Sequence, residues 1–218
     1  MHFQFLIEDG SGEVLIEHVM AKLEREGCRF TFDTKAFKGI GGFKNTCKIK
    51  DIKTNKLLND LPIYLKAFDR YFCGYEACIV IVLDNDDRDK IEFEKQLKKL
   101  AKEAGISVDH VFCIAVEEME AWLLGDRAAL FKAYPEAREN KYREYEQDSI
   151  CGTWECLADT VYRGGLSKFK RACPTYREIG KFKAEWAGNI GVYMDLDRNL
   201  SPSFNYLIQE LRRRMHIA

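Results

Sequence analysis

Short apolar runs alternate with amphipathic segments along the first half of the chain. Residues 3–7 are apolar, and residues 13–26 carry apolar side chains at helical spacing. Gly27 follows at the position where a glycine commonly ends a helix. Residues 28–33 then alternate between apolar and polar, as a half-buried strand does. This opening predicts a strand, a helix and a second strand.

The next segments repeat the same alternation. Residues 77–83 are continuously apolar and rich in branched side chains, which is typical of a strand covered on both faces of a parallel sheet. The remaining pattern predicts helices at 60–72, 90–104 and 117–124 and a further strand at 108–116. We therefore expect an α/β fold with a Rossmann-like parallel sheet flanked by helices.

Two regions depart from this alternation. Residues 35–56 are rich in Gly and Lys and predict a long loop, which in a compact domain is commonly functional. Beyond residue 134 the pattern changes to short amphipathic pieces. We predict an α/β domain over 1–134 and a mainly helical C-terminal extension over 135–218, packed on the same core.

Composition narrows the class of protein. Of the 218 residues 32% are charged, yet the formal net charge is only -1, which excludes a generally basic nucleic-acid binder but allows a local basic groove. The eight cysteines lack the spacing of zinc modules. The sequence shows no signal peptide and no apolar stretch of about 18 residues, so we expect a cytoplasmic protein with reduced, structural cysteines.

Acidic residues follow three of the predicted strands. They are Glu8 and Asp9 after the first strand, Asp84, Asp86 and Asp87 after the central one, and Glu117 and Glu118 after the last. A single acidic strand end is commonly a turn or a helix cap, the role we expect for Asp87 and Asp89. Parallel strands, however, bring their carboxyl ends to one edge, where ligands collect. Clustered carboxylates there either keep protons or bind a divalent cation, so Glu8, Asp84 and Asp86 are the predicted ligands of Mg²⁺ or Mn²⁺.

The motifs around these acids resemble a known pattern. The segment IEDGSGE before a helix and the segment IVLDNDDRD after a buried strand resemble the Toprim pattern of topoisomerases, bacterial primases and OLD-type nucleases. Together with EDGSGE, the segments VFCIAVEEMEAWLLGD, DSICGTWECLAD, IGKFKAEWA and YMDLDRNLSPSF resemble a family of uncharacterised bacterial Toprim-like proteins. That family is known as a domain of unknown function, often encoded beside ABC- or OLD-like ATPases in phage-defence settings. The resemblance covers nearly the whole chain.

The resemblance implies roles for particular residues. Glu8 matches the Toprim glutamate, and Asp84 and Asp86 match its metal-binding Asp-x-Asp. Glu13, five residues after Glu8, is the candidate for the second acidic residue that OLD-type nucleases carry on the first helix. Glu118 is a candidate ligand of a second metal or a substrate-positioning residue.

Three further residues have two interpretations each. Glu120 either joins Glu118 or lies on a solvated helix face. OLD-type nucleases use a C-terminal lysine to stabilise the charged transition state, and Lys181 or Lys183 matches it, unless both are surface lysines. We take Lys181 as the candidate catalytic lysine.

The function that these expectations favour is a Mg²⁺-dependent nuclease acting on DNA or RNA, with an ABC- or OLD-like ATPase as partner and no membrane association. The sequence offers no assignable topoisomerase tyrosine and no primase-type zinc module, so a nuclease is the simplest member of the class. Two alternatives remain. One is a non-catalytic metal-binding or regulatory subunit of an ATPase complex, and the other is phosphoryl transfer on a small nucleotide.

Overall fold

A four-stranded, all-parallel sheet forms the centre of the protein. The computed structural model describes residues 1–43 and 54–215. The strands are β1 (His2–Ile7), β2 (Thr31–Ala36), β3 (Ala77–Asp84) and β4 (Asp109–Ala115). Their order in the sheet is β2-β1-β3-β4, with β1 and β3 at the centre. This confirms the predicted fold class.

Ten helices lie within the described residues. They are α1 (Gly10–Arg25), α2 (Leu57–Tyr71), α3 (Lys90–Ala104), α4 (Glu120–Leu124), α5 (Arg127–Ala133), α6 (Glu139–Tyr142), α7 (Thr153–Val161), α8 (Gly165–Ala172), α9 (Tyr176–Gly191) and α10 (Pro202–Arg214). The five after residue 134 lie in the predicted helical C-terminal extension, and α5 precedes it. Among the described helices none has the length and apolar composition that crossing a membrane requires.

Side-chain alternation along the strands sorts the core into two layers. On β3, Val80 and Val82 face the layer that contains α1 and the C-terminal helices, whereas Ile79 and Ile81 face the layer formed with α2 and α3. Both faces of the central strand are therefore covered, as its continuous apolar run predicted. The first layer joins residues from 1–134 and 135–218 in one core. The domain boundary at residue 134 stays a prediction.

Three predicted boundaries need correction. The second strand is β2 (Thr31–Ala36) rather than 28–33, because Gly27 adopts φ 90° and Cys28 N–H still donates to Leu23 O of the preceding helix. The helix predicted at 117–124 begins only at Glu120, since Glu117 has φ 56° and pairs with Asp86 in an isolated bridge. The helix predicted at 60–72 is α2, which begins three residues earlier.

The predicted loop at 35–56 is shorter at its N-terminal end, because β2 extends to Ala36, and it ends as predicted where α2 begins at Leu57. Residues 37–43 form neither helix nor strand. The part of the prediction that falls on 44–53 lies outside the described residues, as do Cys47 and His216.

Candidate functional site

The carboxyl ends of β1 and β3 meet at the point where the sheet changes winding direction. After β1 the chain passes to one face through α1, and after β3 it passes to the other face through α3. Such a switch point opens a crevice in which α/β proteins bind ligands. Glu8 follows β1 and Asp84 ends β3, and Glu8 Oε2 accepts a hydrogen bond of 3.0 Å from Asp84 N. Two of the predicted metal ligands are therefore neighbours in the crevice.

Asp9 fixes the start of α1 beside Glu8. Its carboxylate caps the helix by accepting hydrogen bonds from Gly12 N at 2.9 Å and from Ser11 Oγ. Asp is a favoured residue at this position because its side chain satisfies a free helix amide. The cap leaves a negative charge close to Glu8 and Asp84, and this charge raises the pKa of both carboxyls.

Asp84 and Asp86 tie the end of β3 to the segment after β4. Asp84 Oδ1 accepts a hydrogen bond of 2.9 Å from Met119 N, and Asp86 N donates to Glu117 O at 2.8 Å. Asp86 needs a left-handed backbone, φ 50°, to make this turn. Its carboxylate is 43% exposed and forms an ion pair with Arg88. Asp86 thus lies at the rim of the crevice rather than in it.

A lysine from the C-terminal region reaches the same crevice. Lys183 Nζ on α9 lies 3.1 Å from Glu120 Oε2 and 3.5 Å from Glu118 Oε1. The Lys183 side chain is only 13% exposed and that of Glu120 only 1%. Among the described residues, neither oxygen of Glu120 accepts a well-formed hydrogen bond. The ion pair with Lys183 is thus the main compensation for a fully buried carboxylate.

Glu117 and Glu118 hold the start of α7 against the crevice. Glu117 accepts hydrogen bonds from the backbone N–H groups of Cys151, Gly152 and Thr153 at 2.8–3.1 Å and from the Thr153 hydroxyl. Glu118 Oε2 accepts one from Trp154 N at 3.0 Å. Burial raises the pKa of Glu117, but these donors outweigh it and hold the pKa below its usual value.

The carboxyls in the crevice hold their protons more tightly than ordinary acids. Burial raises the pKa of Glu8 to about 7, with Asp86 and Asp9 adding to the rise and the Asp84 amide opposing it. Burial, followed by the charge of Glu8, raises the pKa of Asp84 well above its usual value. Burial and mutual repulsion therefore oppose full ionisation of these two carboxyls.

The acids nearer Lys183 behave in the same way. Burial raises the pKa of Glu118 to about 7 and also raises that of Glu120, although Lys183 opposes both shifts. Burial alone would lower the pKa of Lys183, but Glu120 and Glu118 reverse this effect and raise it. Lys183 therefore stays protonated throughout the ordinary pH range.

The donor chemistry suits a hard divalent cation. Five carboxylates share the crevice with one lysine, and carboxylate oxygens are the ligands that Mg²⁺ prefers. They are those of Glu8, Asp9, Asp84, Glu118 and Glu120. Within residues 1–43 and 54–215, however, no three His, Cys, Asp or Glu side chains are grouped closely enough to hold a metal as they stand. Ligation would therefore require side-chain rotation, and Asp86 and Glu8 are both only partly buried.

Two of the candidate residues lie away from the crevice. Glu13 accepts a hydrogen bond of 2.7 Å from Thr34 Oγ1 on β2. Lys181 is exposed on α9, and it is Lys183 that reaches the acids. The sequence carried a signal for this choice, because Lys183 precedes the buried Trp186 and Ala187 by three and four residues and so shares their helix face.

The remaining acidic residues have different environments. Asp89 caps α3 by accepting from Glu92 N at 2.9 Å, as expected, and Asp87 is exposed. Glu120 is fully buried, so the interpretation that places it on a solvated helix face is wrong. Asp9, which the sequence placed only as a strand-end acid, contributes its charge to the crevice.

Comparison with protein families places the chain. A family model described as "Domain of unknown function (DUF4276)" matches residues 7–212. The chain belongs to the DUF4276 family. The match runs from the last residue of β1 to α10, so the crevice and Lys183 lie inside the DUF4276 region. No curated protein and no solved structure matches this DUF4276 chain.

Proposed function

We propose that this protein is a Mg²⁺-dependent phosphodiesterase that cuts DNA or RNA at the crevice between β1 and β3. The observation that carries the proposal is the contact of Glu8 with Asp84 at the switch point of the sheet, within a cluster whose carboxyl pKa values are raised. A divalent cation bound there would neutralise the excess negative charge.

Each residue in the crevice has a role in this proposal. Glu8 and Asp84 would hold the metal, together with Asp86 once its carboxylate leaves Arg88. Mg²⁺ bound there would polarise a phosphoryl oxygen and lower the pKa of a water molecule. Lys183 keeps Glu118 and Glu120 in place and supplies positive charge near the negative charge that develops during phosphodiester cleavage.

Positive charge on the loop after β2 supports a polyanionic substrate. Gly39 N donates a hydrogen bond of 2.9 Å to Glu8 O, so this loop runs along the crevice. Lys38 is exposed beside it and offers an ammonium group to phosphates. Lys56 is also exposed, and its Nζ donates to Lys38 O. Three parts of the proposal rest on the resemblance to Toprim proteins. They are the nucleic-acid substrate, the ABC- or OLD-like ATPase partner and the role in phage defence.

A cleavage assay tests the proposal. The purified protein is incubated with plasmid, single-stranded DNA and tRNA in the presence of Mg²⁺ or Mn²⁺. We expect cleavage that Glu8→Gln or Asp84→Asn reduces on the order of 10²-fold or more. Asp87→Asn is the matched control, because Asp87 belongs to the same acidic segment but is exposed. No cutting of any substrate, alone or with the ATPase, would remove the nuclease proposal. Cutting that survives Asp84→Asn combined with Asp86→Asn would remove the site assignment.

One observation favours a second candidate, a non-catalytic subunit. Lys183 already supplies an internal cation to Glu118 and Glu120, so part of the acidic cluster is neutralised without metal. In this case the crevice binds metal or a partner, and the chemistry belongs to the associated ATPase. Calorimetric titration with Mg²⁺ together with the cleavage assay separates the two candidates. Mg²⁺ binding without cleavage in the presence of the ATPase supports the second.

A further inference from the structure

Two thiols lie next to each other at the start of α7. Cys151 Sγ and Cys156 Sγ are 3.6 Å apart, and Cys151 is exposed while Cys156 is partly buried. A disulfide has an S–S length of about 2.05 Å, so closing the pair requires the sulfur atoms to approach by about 1.5 Å. Among the seven described cysteines no other pair has a direct Sγ contact.

The backbone at this position brings the two side chains together. Gly152 is the N-cap of α7 with φ 80°, so Cys151 is the residue before the cap and Cys156 is the fourth residue of the helix. Side chains at these two positions commonly pack together and fix the angle at which the chain enters a helix. Cys156 N donates to Gly152 O at 3.0 Å, which holds the turn in register. In this chain the two packed positions are both cysteines, so the same contact can become covalent.

The surroundings allow a small oxidant to reach the pair. A pocket of about 190 Å³ opens onto both cysteines and is lined by Tyr145, Glu155 and Leu166 among others. Ser149 Oγ donates a hydrogen bond to Cys151 Sγ at 3.5 Å. Cys151 is exposed, whereas burial raises the pKa of the Cys156 thiol to about 12, so Cys151 is the attacking thiol and Cys156 behind it is the resolving thiol.

We propose that Cys151 and Cys156 are a reversible dithiol–disulfide pair that closes by exchange with a low-molecular-weight disulfide. The Cys151 thiolate attacks one sulfur of the small disulfide, forming a mixed disulfide and releasing one small thiol. Cys156 then loses its proton to solvent and attacks the Cys151 sulfur, forming the protein disulfide and releasing the second small thiol. The two protein thiols are oxidised by two electrons, and the small disulfide is reduced to two thiols.

Closing this pair constrains the start of α7, which Glu117 and Glu118 hold beside the crevice. The Cys151, Gly152 and Thr153 amides are held by Glu117, and Trp154 N is held by Glu118. A disulfide between Cys151 and Cys156 therefore fixes the segment that packs against these two acids. This inference does not depend on the nuclease proposal, because it concerns only the thiols and the backbone of α7.

Mass spectrometry of the full-length protein tests the pair. The protein is incubated with oxidised glutathione and digested with trypsin, which releases Cys151 and Cys156 on one peptide, because no Lys or Arg lies between Arg143 and Arg163. We expect this peptide to lose two hydrogens and to regain them with dithiothreitol. Hydrogen exchange at the Cys151, Gly152 and Thr153 amides should become slower in the oxidised protein.

Variants separate the two steps. Cys156→Ser should trap a glutathione adduct on Cys151 that lasts at least about tenfold longer than in the unaltered protein, because the resolving thiol is missing. Cys151→Ser should leave Cys156 unmodified. Cys73→Ser is the control, since Cys73 is another exposed thiol, and it should leave closure of the Cys151–Cys156 pair unchanged. The proposal is overturned if the unaltered protein keeps both thiols free, or keeps a stable adduct on Cys151, when Cys73 is fully modified.

Discussion

Lys183 is the residue on which the charge balance of the crevice depends. It is the one cation within 4 Å of the buried Glu118 and Glu120 among the described residues. A buried ion pair contributes little net stability by itself, but removal of one partner leaves an uncompensated charge. The effect of substitution should therefore be large and should depend on whether the acids can take up protons.

We predict that Lys183→Gln lowers the free energy of unfolding by about 3–5 kcal/mol at pH 8. Lys181→Gln should change it by about 0.5 kcal/mol or less, because Lys181 is exposed on the same helix. Urea unfolding of both variants measures the difference. At pH 5.5 the loss for Lys183→Gln should be smaller, since Glu118, with a pKa of about 7, is then protonated. Equal losses for the two variants would contradict the assignment.

At the scale of elements, the carboxylate of Glu117 caps α7 in place of an N-cap side chain. The N-cap of α7 is Gly152, which has no side chain to accept from the free amides of the first turn. Glu117, 36 residues before Thr153, accepts them instead. Hydrogen bonds from backbone amides to a charged acceptor are stronger than neutral ones. The cap thereby joins the end of β4 to the C-terminal region.

We expect Glu117→Gln to lower the free energy of unfolding by about 1–3 kcal/mol at neutral pH. The pKa of Glu117 is held below its usual value, so its contribution is present above the unfolded pKa of 4.5 and is lost as the pH falls through the folded pKa. Glu155→Gln is the control, because Glu155 lies on the same helix and its ion pair with Lys170 is at the surface. Thermal unfolding across a pH series should show a clear difference between the two variants at pH 7, which shrinks as the pH falls below 4.5 and through the folded pKa.

Local patterns predicted the elements well, and long-range contacts explain what they missed. The apolar run of β3 and the amphipathic pattern of α3 are local signals, and both elements occur where the sequence placed them. The cap by Glu117 could not be predicted, because it joins residues that are distant in sequence. Local periodicity also gave no reason to begin the helix later than residue 117. The long-range bridge between Asp86 and Glu117 is what keeps Glu117 out of the helix.

The site was predicted in part for the same reason. Glu8 and Asp84 came from the rule that parallel strands end at one edge, and the structure places them in contact. Asp86 was expected beside them but pairs with Arg88, because its left-handed backbone places it at the rim. The metal-binding roles of Glu8, Asp84 and Asp86 stay predictions.

At the scale of the whole molecule, the crevice makes the fold sensitive to pH. The pKa values of Glu8 and Glu118 are about 7 in the folded protein against 4.5 for an ordinary glutamate. The folded state therefore binds more protons than the unfolded state between these values, so the contribution of these two groups to stability is full below pH 4.5 and is lost as the pH rises through 7.

We predict that, in a chelator, the free energy of unfolding falls on the order of 2–4 kcal/mol between pH 5 and pH 8 because of these two groups. Mg²⁺ added at pH 8 should restore part of it, since a ligand that binds only the folded state stabilises that state. Thermal unfolding with and without Mg²⁺ measures both effects. Glu8→Gln should flatten the pH slope and weaken the response to Mg²⁺, and an unchanged slope would contradict the pKa assignment.

The position of α9 also affects when the crevice is completed during synthesis. Glu8, Asp84, Glu118 and Glu120 all precede α9 along the chain, and Lys183 lies within it. Because a chain leaves the ribosome from its N-terminus, the sheet and its acids emerge before the lysine that balances them. The acidic edge therefore reaches its final charge only when α9 has docked on α1. A prematurely terminated chain that lacks α9 would expose an unbalanced acidic edge, and we expect this product to be more open and more sensitive to proteases.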